Sequence, residues 1–171
     1  GLMTDTGGFR HNNTKAREFE TAAKLTSRGA VPHEVARKIY DSSSIDRLKL
    51  TGYILCNKLV VLPEFRVAYM DLNRQEQEQF NFQTGDSEGL VNYGLSVKGV
   101  QLSVFFHERE DQIKISFRSI GEFSVNDFAR KYFNGGGHRN AAGGSSNENL
   151  KATIERFLSL LPQYKSSLLN N

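Results

Sequence analysis

Apolar side chains recur at helical spacing through the first sixty residues of the chain. Residues 14–28 carry such a stripe, and Gly29 stands where a helix commonly ends. Pro32 suits the first turn of a second helix, which the pattern extends to about Tyr40. Ser43, followed three residues later by an acidic side chain, predicts a capping box and a third helix. The first part of the chain is therefore predicted to be mostly helical.

The spacing of apolar residues changes from helical to alternating at about residue 64. Residues 65–72 and 100–107 alternate as strands do, and residues 113–117 alternate again after a short charged turn. The last two segments predict an antiparallel hairpin. Before this hairpin, residues 74–80 are predicted as a polar helix or turn and residues 86–93 as a short helix.

Two further helices are predicted near the carboxyl end. Ser124 can cap a helix that continues to Phe133. Residues 147–161 carry apolar side chains at helical spacing, and Pro162 predicts the end of that helix. The polar tail, residues 163–171, is expected to fray. Helices followed by strands and further helices predict an α/β fold with a mixed β-sheet flanked by helices.

Composition is that of an ordinary globular protein. The chain has 171 residues, of which 38% are hydrophobic and 24% charged, enough for one domain and a small neighbouring piece. No apolar run reaches the ~20 residues of a membrane helix and no secretory leader is visible, so we expect a cytoplasmic protein without a membrane partner. Cys56 is the single cysteine, and its apolar neighbours predict a buried structural thiol.

The net charge of +3 comes from dispersed lysines and arginines. A protein that coats long nucleic acid usually carries a denser basic stripe. The charge pattern therefore favours a small phosphorylated ligand held at one place.

Glycine dominates residues 135–145, which read Gly-Gly-Gly-His-Arg-Asn-Ala-Ala-Gly-Gly-Ser between two predicted helices. Three consecutive glycines are not expected in a packed core, and we interpret them as exposing backbone N–H groups to a closely approaching phosphate. His138 and Arg139 follow at once and add side-chain donors for the same anion. The segment is predicted to be a phosphate-binding loop.

The second strand of the predicted hairpin contributes another candidate. Lys114, Ser116 and Arg118 share its polar face, with Arg118 near the end of the strand. A planar guanidinium can bind a terminal phosphate through two hydrogen bonds. Arg118 is therefore a second candidate for phosphate binding.

Three segments in this order resemble the DHH phosphoesterase superfamily, which is named for an Asp-His-His motif. Residues 4–10, Thr-Asp-Thr-Gly-Gly-Phe-Arg, look like the last metal-ligand motif of its catalytic domain. Residues 114–119, Lys-Ile-Ser-Phe-Arg-Ser, and the glycine–histidine motif at 135–143 look like its DHH-associated domain. Within the superfamily the chain is most similar to the branch of oligoribonuclease/pAp phosphatases (nanoRNases), also labelled exopolyphosphatase-related.

The resemblance implies a two-domain enzyme with metal ions in the first domain and phosphate-binding residues in the second. Residues 1–60 would be the C-terminal remnant of the DHH catalytic domain plus linker helices, and residues 61–171 the DHH-associated substrate-binding domain. Asp5 would be a metal ligand in the full-length parent only, with Mn²⁺ as the expected ion. The Asp-His-His motif itself is missing from the chain, so we expect no cofactor and no hydrolysis in this fragment alone.

The resemblance also implies the substrate and the residues that bind it. Expected partners are a short single-stranded RNA or a small phosphorylated nucleotide, together with the protein's own N-terminal DHH domain. The expected reaction of the parent is hydrolysis of short oligoribonucleotides and of adenosine 3′,5′-bisphosphate (pAp). The substrate-binding candidates are Arg118, Ser119, Gly135, Gly136, Gly137, His138 and Arg139.

Three other functions remain open from the sequence. The parent could hydrolyse inorganic polyphosphate or linear dinucleotides, or the domain could bind nucleotides without catalysis. A module associated with a tRNA synthetase is disfavoured by the Asp-Thr-Gly opening. His11, His33 and His107 lack the spacing of a metal site and are predicted to lie on the surface or to have satisfied hydrogen bonds.

Overall fold

The computed structural model describes residues 1–10 and 13–170. The chain divides into two compact units, Gly1–Ser44 and Ile45–Asn171. The first unit contains the helices α1 (Leu2–Asp5), α2 (Ala16–Ser27) and α3 (Pro32–Tyr40). Gly29, just beyond α2, adopts a φ of 94°, the left-handed conformation in which glycine commonly ends a helix.

The second unit contains a sheet and the helices around it. Its elements are α4 (Ile45–Asn57), β1 (Val60–Leu62), β2 (Val67–Leu72), α5 (Arg74–Gln79), α6 (Leu90–Ser96), β3 (Leu102–Glu108), β4 (Ile113–Ser119), α7 (Val125–Tyr132), β5 (Gly136–His138), β6 (Ala141–Ser146) and α8 (Leu150–Leu169).

Six strands form one mixed sheet in the order β1-β2-β3-β4-β6-β5. The pair β2–β3 is parallel and every other neighbouring pair is antiparallel. Helices α5 and α6 lie in the crossover between the two parallel strands. Residues of α7 and α8 pack on one face of the sheet, and residues of α4 and α6 pack on the other. The predicted class, an α/β fold with a mixed sheet flanked by helices, is confirmed.

The predicted hairpin of β3 and β4 shows how the pattern directs burial. Ile113, Ile115 and Phe117 of β4 are buried, while the residues between them are exposed or half-buried. The buried side chains face α7 and α8, where Phe117 packs against Phe128 with ring centroids 5.8 Å apart. The polar face of β4 therefore points away from these two helices, as its alternation predicts.

The predicted end of the last helix at residue 161 is wrong. Helix α8 continues to Leu169 with Pro162 inside it, although proline cannot donate the helical hydrogen bond at its position. Tertiary packing offsets this loss, because Leu168 is fully buried and the Tyr164 hydroxyl donates to that of Tyr132 at 3.0 Å. Residues 163–169 therefore continue the helix and do not fray, with Tyr164 and Leu168 as the side chains that anchor them.

The prediction that residues 135–145 form a loop is also wrong. Gly136–His138 and Ala141–Ser146 form a β-hairpin, with a two-residue turn at residues 139 and 140. Ala142 of this hairpin is buried in the core. Alternation of apolar residues could not indicate these strands, since four of their nine residues are glycine.

Cys56 is exposed, so the prediction of a buried thiol is wrong. The apolar residues around it lie on a helix, and Ile54 is fully buried. Two residues correspond to a rotation of about 200° around an α-helix, which turns Cys56 away from the core.

Helix α4 belongs to the second unit, although the sequence groups residues 45–60 with the helices before them. Lys58, just after α4, places its Nζ 2.6 Å from Oδ2 of Asp71 and 2.9 Å from Oε1 of Glu76. The Tyr53 hydroxyl donates to the same Glu76 oxygen at 2.9 Å. Burial raises the pKa of Asp71 above its ordinary value, while Lys58 opposes this shift. These contacts fasten α4 to β2 and α5.

Candidate functional site

Strand pairing brings two of the predicted site residues into one row of the sheet. Arg118 of β4 is paired with Ala141 of β6, and Ala141 is paired in turn with His138 of β5. Neighbouring strands lie about 4.8 Å apart, so the Cα atoms of Arg118 and His138 are separated by roughly 10 Å. An extended arginine side chain can bridge such a distance. The row thus joins two segments that are twenty residues apart in the chain.

Arg118 is half-buried at the end of β4. Its Nη1 donates to the carbonyl oxygen of Phe117 at 2.9 Å, and no ion pair with a carboxylate is found for it among residues 1–10 and 13–170. Burial lowers the pKa of Arg118, yet an arginine stays charged in proteins. A partly desolvated cation with unused donors is suited to bind an anion.

His138 is exposed at the end of β5, next to the hairpin turn. Within the described part of the chain its ring makes no hydrogen bond. Both ring nitrogens are therefore available to a ligand, one as a donor in the neutral form and both as donors when the ring is protonated.

The three glycines have a structural role that the sequence did not indicate. The N–H of Gly135 donates to the carbonyl of Ala129 at 3.2 Å, and that of Gly137 donates to Oδ1 of Asn126 at 2.9 Å. A Cβ on Gly135 would lie 2.0 Å from the carbonyl oxygen of Gly143, and one on Gly137 would lie 2.6 Å from that of Ala141. The backbone of Gly135 and Gly137 is therefore closely approached by β6 of the same chain, where the sequence analysis expected a phosphate. Two of the three amides of the expected phosphate cradle are already bonded.

Ser119 and Arg139 have partners within the chain. The hydroxyl of Ser119 is buried, donates to the carbonyl of Phe123 at 2.7 Å and accepts from the side chain of Asn140 at 2.9 Å. The guanidinium of Arg139 donates to the carbonyl of Glu122 at 2.8 Å and pairs with the carboxylate of that residue. Neither side chain is as available to a ligand as those of Arg118 and His138.

Asn126 and Asn140 were missed by the sequence analysis. Asn126 accepts from the N–H of Gly137, and Asn140 donates to Ser119 and to the carbonyl of Gly121 at 3.0 Å. Asn140 stands within the glycine–histidine motif, and asparagine is common in tight turns. Its position in a turn could have been a signal, but its partners lie about twenty residues earlier in the chain.

Asp5 ends the short helix α1 of the first unit, where its backbone carbonyl accepts from Asn13 at 3.0 Å. The hydroxyl of Thr4 lies 3.4 Å from its carboxylate. Across residues 1–10 and 13–170, no three side chains of His, Cys, Asp or Glu form a group that could bind a metal ion. The residues described here therefore do not fit a two-metal centre, which needs several ligands around both ions.

The other histidines lie away from this row. His107 is buried, with Nδ1 3.4 Å from the hydroxyl of Ser87 and no partner for Nε2. Burial, reinforced by the nearby cations Arg109 and Lys114, lowers the pKa of His107 to about 4. His107 is thus neither on the surface nor fully hydrogen-bonded, contrary to the prediction. His33 is exposed, and His11 lies outside the described residues.

Two cavities of the second unit lie at the other end of the sheet. One cavity of about 570 Å³ is lined by Asp71, Asn73, Glu108, Asn149, Leu150, Lys151, Ile154 and Glu155. Another is formed around the turn between β3 and β4. Neither of these two cavities includes Arg118 or His138.

In the described part of the chain, none of the helices combines the length and the apolar character that a membrane crossing requires.

Comparison with known proteins identifies the family. Residues 64–166 match the DHHA1 domain. The bifunctional oligoribonuclease and PAP phosphatase NrnA of Bacillus subtilis is 34% identical over 145 residues, which are 85% of this chain and 45% of that protein. The protein of the same name from Thermus thermophilus is 32% identical over 159 residues, which are 92% of this chain and 47% of that protein.

A solved structure, that of an exopolyphosphatase-related protein from Bacteroides fragilis, has a TM-score of 0.93 to this chain at 40% sequence identity. The similarity covers 98% of this chain and 49% of that one. The chain thus spans about half the length of the proteins it matches. Because the matched segment covers more than half of the chain and contains both Arg118 and His138, the chain belongs to the DHHA1 domain family, and its relatives are DHH-family phosphoesterases.

Proposed function

We propose that this chain is the phosphate-binding part of a metal-dependent phosphoesterase that hydrolyses short oligoribonucleotides and the 3′-phosphate of pAp. The names of the two NrnA relatives support this choice of substrates. In this proposal Mn²⁺ is the metal of the full-length protein, which acts in the cytoplasm, and an N-terminal DHH domain is the partner of the chain.

One observation carries the proposal, namely the row of Arg118, Ala141 and His138 across three strands. Arg118 supplies a positive charge that no carboxylate of the described residues neutralises, and His138 supplies an exposed ring without a partner. Ala141, between them, carries only a methyl group, so a phosphate can approach both side chains. A charge-assisted hydrogen bond to phosphate contributes about 1.5–3 kcal/mol.

Hydrolysis is assigned to the longer protein. The described residues hold a single carboxylate of the expected metal motif, Asp5, and do not assemble a metal centre. In the proposed reaction this chain binds the phosphate, fixes its orientation and balances part of its charge. We accordingly expect no release of phosphate when the 171-residue chain is incubated with Mn²⁺ and pAp.

Binding of adenosine monophosphate (AMP) to the 171-residue chain tests the proposed site. We expect the variants Arg118→Ala and His138→Ala each to bind AMP about 10- to 100-fold more weakly than the original chain. Titration followed by calorimetry or NMR gives the dissociation constants. Inorganic phosphate, titrated in parallel, shows whether the loss concerns the phosphate group itself.

Lys151→Ala provides a matched control. Lys151 is an exposed cation on α8, which packs on the opposite face of the sheet from the polar side of β4. The control is expected to bind AMP as tightly as the original chain. Equal losses in all three variants would indicate attraction by net charge alone, and unchanged binding in Arg118→Ala and His138→Ala would reject the site.

One observation supports a different substrate, inorganic polyphosphate, for the same site: the Bacteroides fragilis protein is described as exopolyphosphatase-related. Inorganic polyphosphate is therefore the second candidate. Rates measured for the full-length protein on dinucleotides, pAp and polyphosphate distinguish the two. Faster turnover of polyphosphate than of either nucleotide would favour the alternative.

A further inference from the structure

Hydrogen bonds connect the turn between β5 and β6 to the segment that follows β4. We call Ser119, Glu122, Arg139 and Asn140 the turn clamp. Two of these residues, Ser119 and Arg139, are substrate-binding candidates from the sequence. Their contacts in the structure indicate another role.

Asn140 makes the bonds at the centre of the turn clamp. Its Nδ2 donates to Oγ of Ser119 at 2.9 Å and to the carbonyl of Gly121 at 3.0 Å. Its own carbonyl accepts from the backbone N–H of Ser119 at 3.1 Å. The buried Ser119 hydroxyl completes the arrangement by donating to the carbonyl of Phe123 at 2.7 Å.

Arg139 adds contacts on the outer side of the turn. Its Nη2 donates to the carbonyl of Glu122 at 2.8 Å and pairs with the carboxylate of the same residue. Its carbonyl accepts from the backbone N–H of Val125 at 2.7 Å, at the beginning of α7. The turn at residues 139 and 140 is thereby hydrogen-bonded both to the end of β4 and to the start of α7.

We propose that the turn clamp consists of positioning residues that fix His138 relative to Arg118, and that Asn140 is the residue on which this depends most. Ser119 directly follows Arg118, and Asn140 lies two residues after His138. The two hydrogen bonds between Ser119 and Asn140 therefore couple the ends of the row directly. Ser119 and Arg139 act on the ligand through His138 and do not touch it.

This inference rests on the proposed function, because it concerns the same anion site. A strand of three residues at the edge of a sheet, two of them glycines, has almost no side chains of its own to define the position of His138. Anchoring the turn removes that freedom before the ligand arrives. Residues that orient a binding group in this way raise affinity by lowering the cost of ordering it.

Double-mutant cycles with AMP binding test the proposal. Asn140→Ala is expected to weaken binding about fivefold or more in the original chain, but less than about twofold in a His138→Ala background. In a Lys151→Ala background the fivefold loss should persist, because distant and independent changes are additive. Ser119→Ala, which leaves Asn140 its bond to Gly121, serves as a milder second variant should Asn140→Ala fail to fold.

The cycle separates positioning from general stability. A residue that only stabilises the fold would weaken binding by the same factor in the His138→Ala background and in the Lys151→Ala background. Such an equal loss, or no loss from Asn140→Ala, would overturn the proposal. If Arg118→Ala and His138→Ala themselves leave AMP binding unchanged, the proposed function fails instead.

A measurement without ligand tests the same inference independently. Hydrogen exchange of backbone amides, followed by NMR, should be faster at residues 137–139 in Asn140→Ala than in the original chain, while amides of β3 remain unchanged. Unaltered exchange at residues 137–139 would refute the positioning role even if the chain bound no AMP.

Discussion

Replacing Gly135 by alanine is expected to lower the free energy of unfolding by about 3 kcal/mol or more. The new Cβ would lie 2.0 Å from the carbonyl oxygen of Gly143 and 2.7 Å from Cα of Gly144, both of them backbone atoms of β6. A flexible side chain could move away, but a strand bonded to β4 on its other side cannot. Urea unfolding of both proteins, followed by circular dichroism, measures the difference.

Gly136→Ala is the matched control for this experiment. Its Cβ would lie 3.3 Å from Nε of Arg130, an exposed and flexible side chain, and we expect a loss below about 1 kcal/mol. Equally large losses at both positions would contradict the interpretation, since they would mean that the glycine run is needed for its flexibility as a whole.

The second large effect concerns pH and comes from His107. The ordinary pKa of histidine is about 6.5, whereas burial lowers that of His107 to about 4 in the folded chain. Above pH 6.5 the ring is neutral in both states and its full contribution to stability is present. As the pH falls from 6.5 to about 4, the unfolded chain binds a proton that the folded chain does not, so stability decreases. The total loss is about 3 kcal/mol.

His107→Phe should remove this part of the pH dependence. The ring lies edge-on to Phe82 with centroids 5.0 Å apart, and its Nε2 has no partner that the variant would lose. Unfolding free energies at about pH 7 and about pH 4.5 are compared for the original chain, His107→Phe and the exposed-site control His33→Phe. An unchanged pH dependence in His107→Phe would show that His107 is protonated at its ordinary pKa in the folded chain.

Part of the site could be predicted from local pattern. Alternation along β4 places Arg118 on the polar face of the strand, and the structure confirms that face. The proximity of Arg118 to His138 could not be predicted in this way. It depends on β6 pairing with both β4 and β5, and the glycines and alanines of β6 carry no alternating signal.

The same reasoning explains why Ser119 and Arg139 were interpreted as ligand contacts. Both are polar and both adjoin a strong candidate, which is all that the sequence reveals. Their partners Phe123 and Glu122 lie in a loop whose path only the fold defines. A residue next to a binding residue in the sequence therefore lies in the region of the site. Whether its side chain is available to a ligand depends on hydrogen-bond partners that are distant in the sequence.

The amino-acid sequence by itself determined the α/β class, the helices α2, α3 and α7, the β3–β4 hairpin and the orientation of Arg118, because periodicity and capping are properties of neighbouring residues. Tertiary structure alone decided that α8 continues through Pro162, that the glycine segment forms two strands and that Cys56 faces outward. Each of these outcomes depends on contacts between segments far apart in the chain, where burial of Leu168 or pairing with β4 outweighs the local preference of proline or glycine.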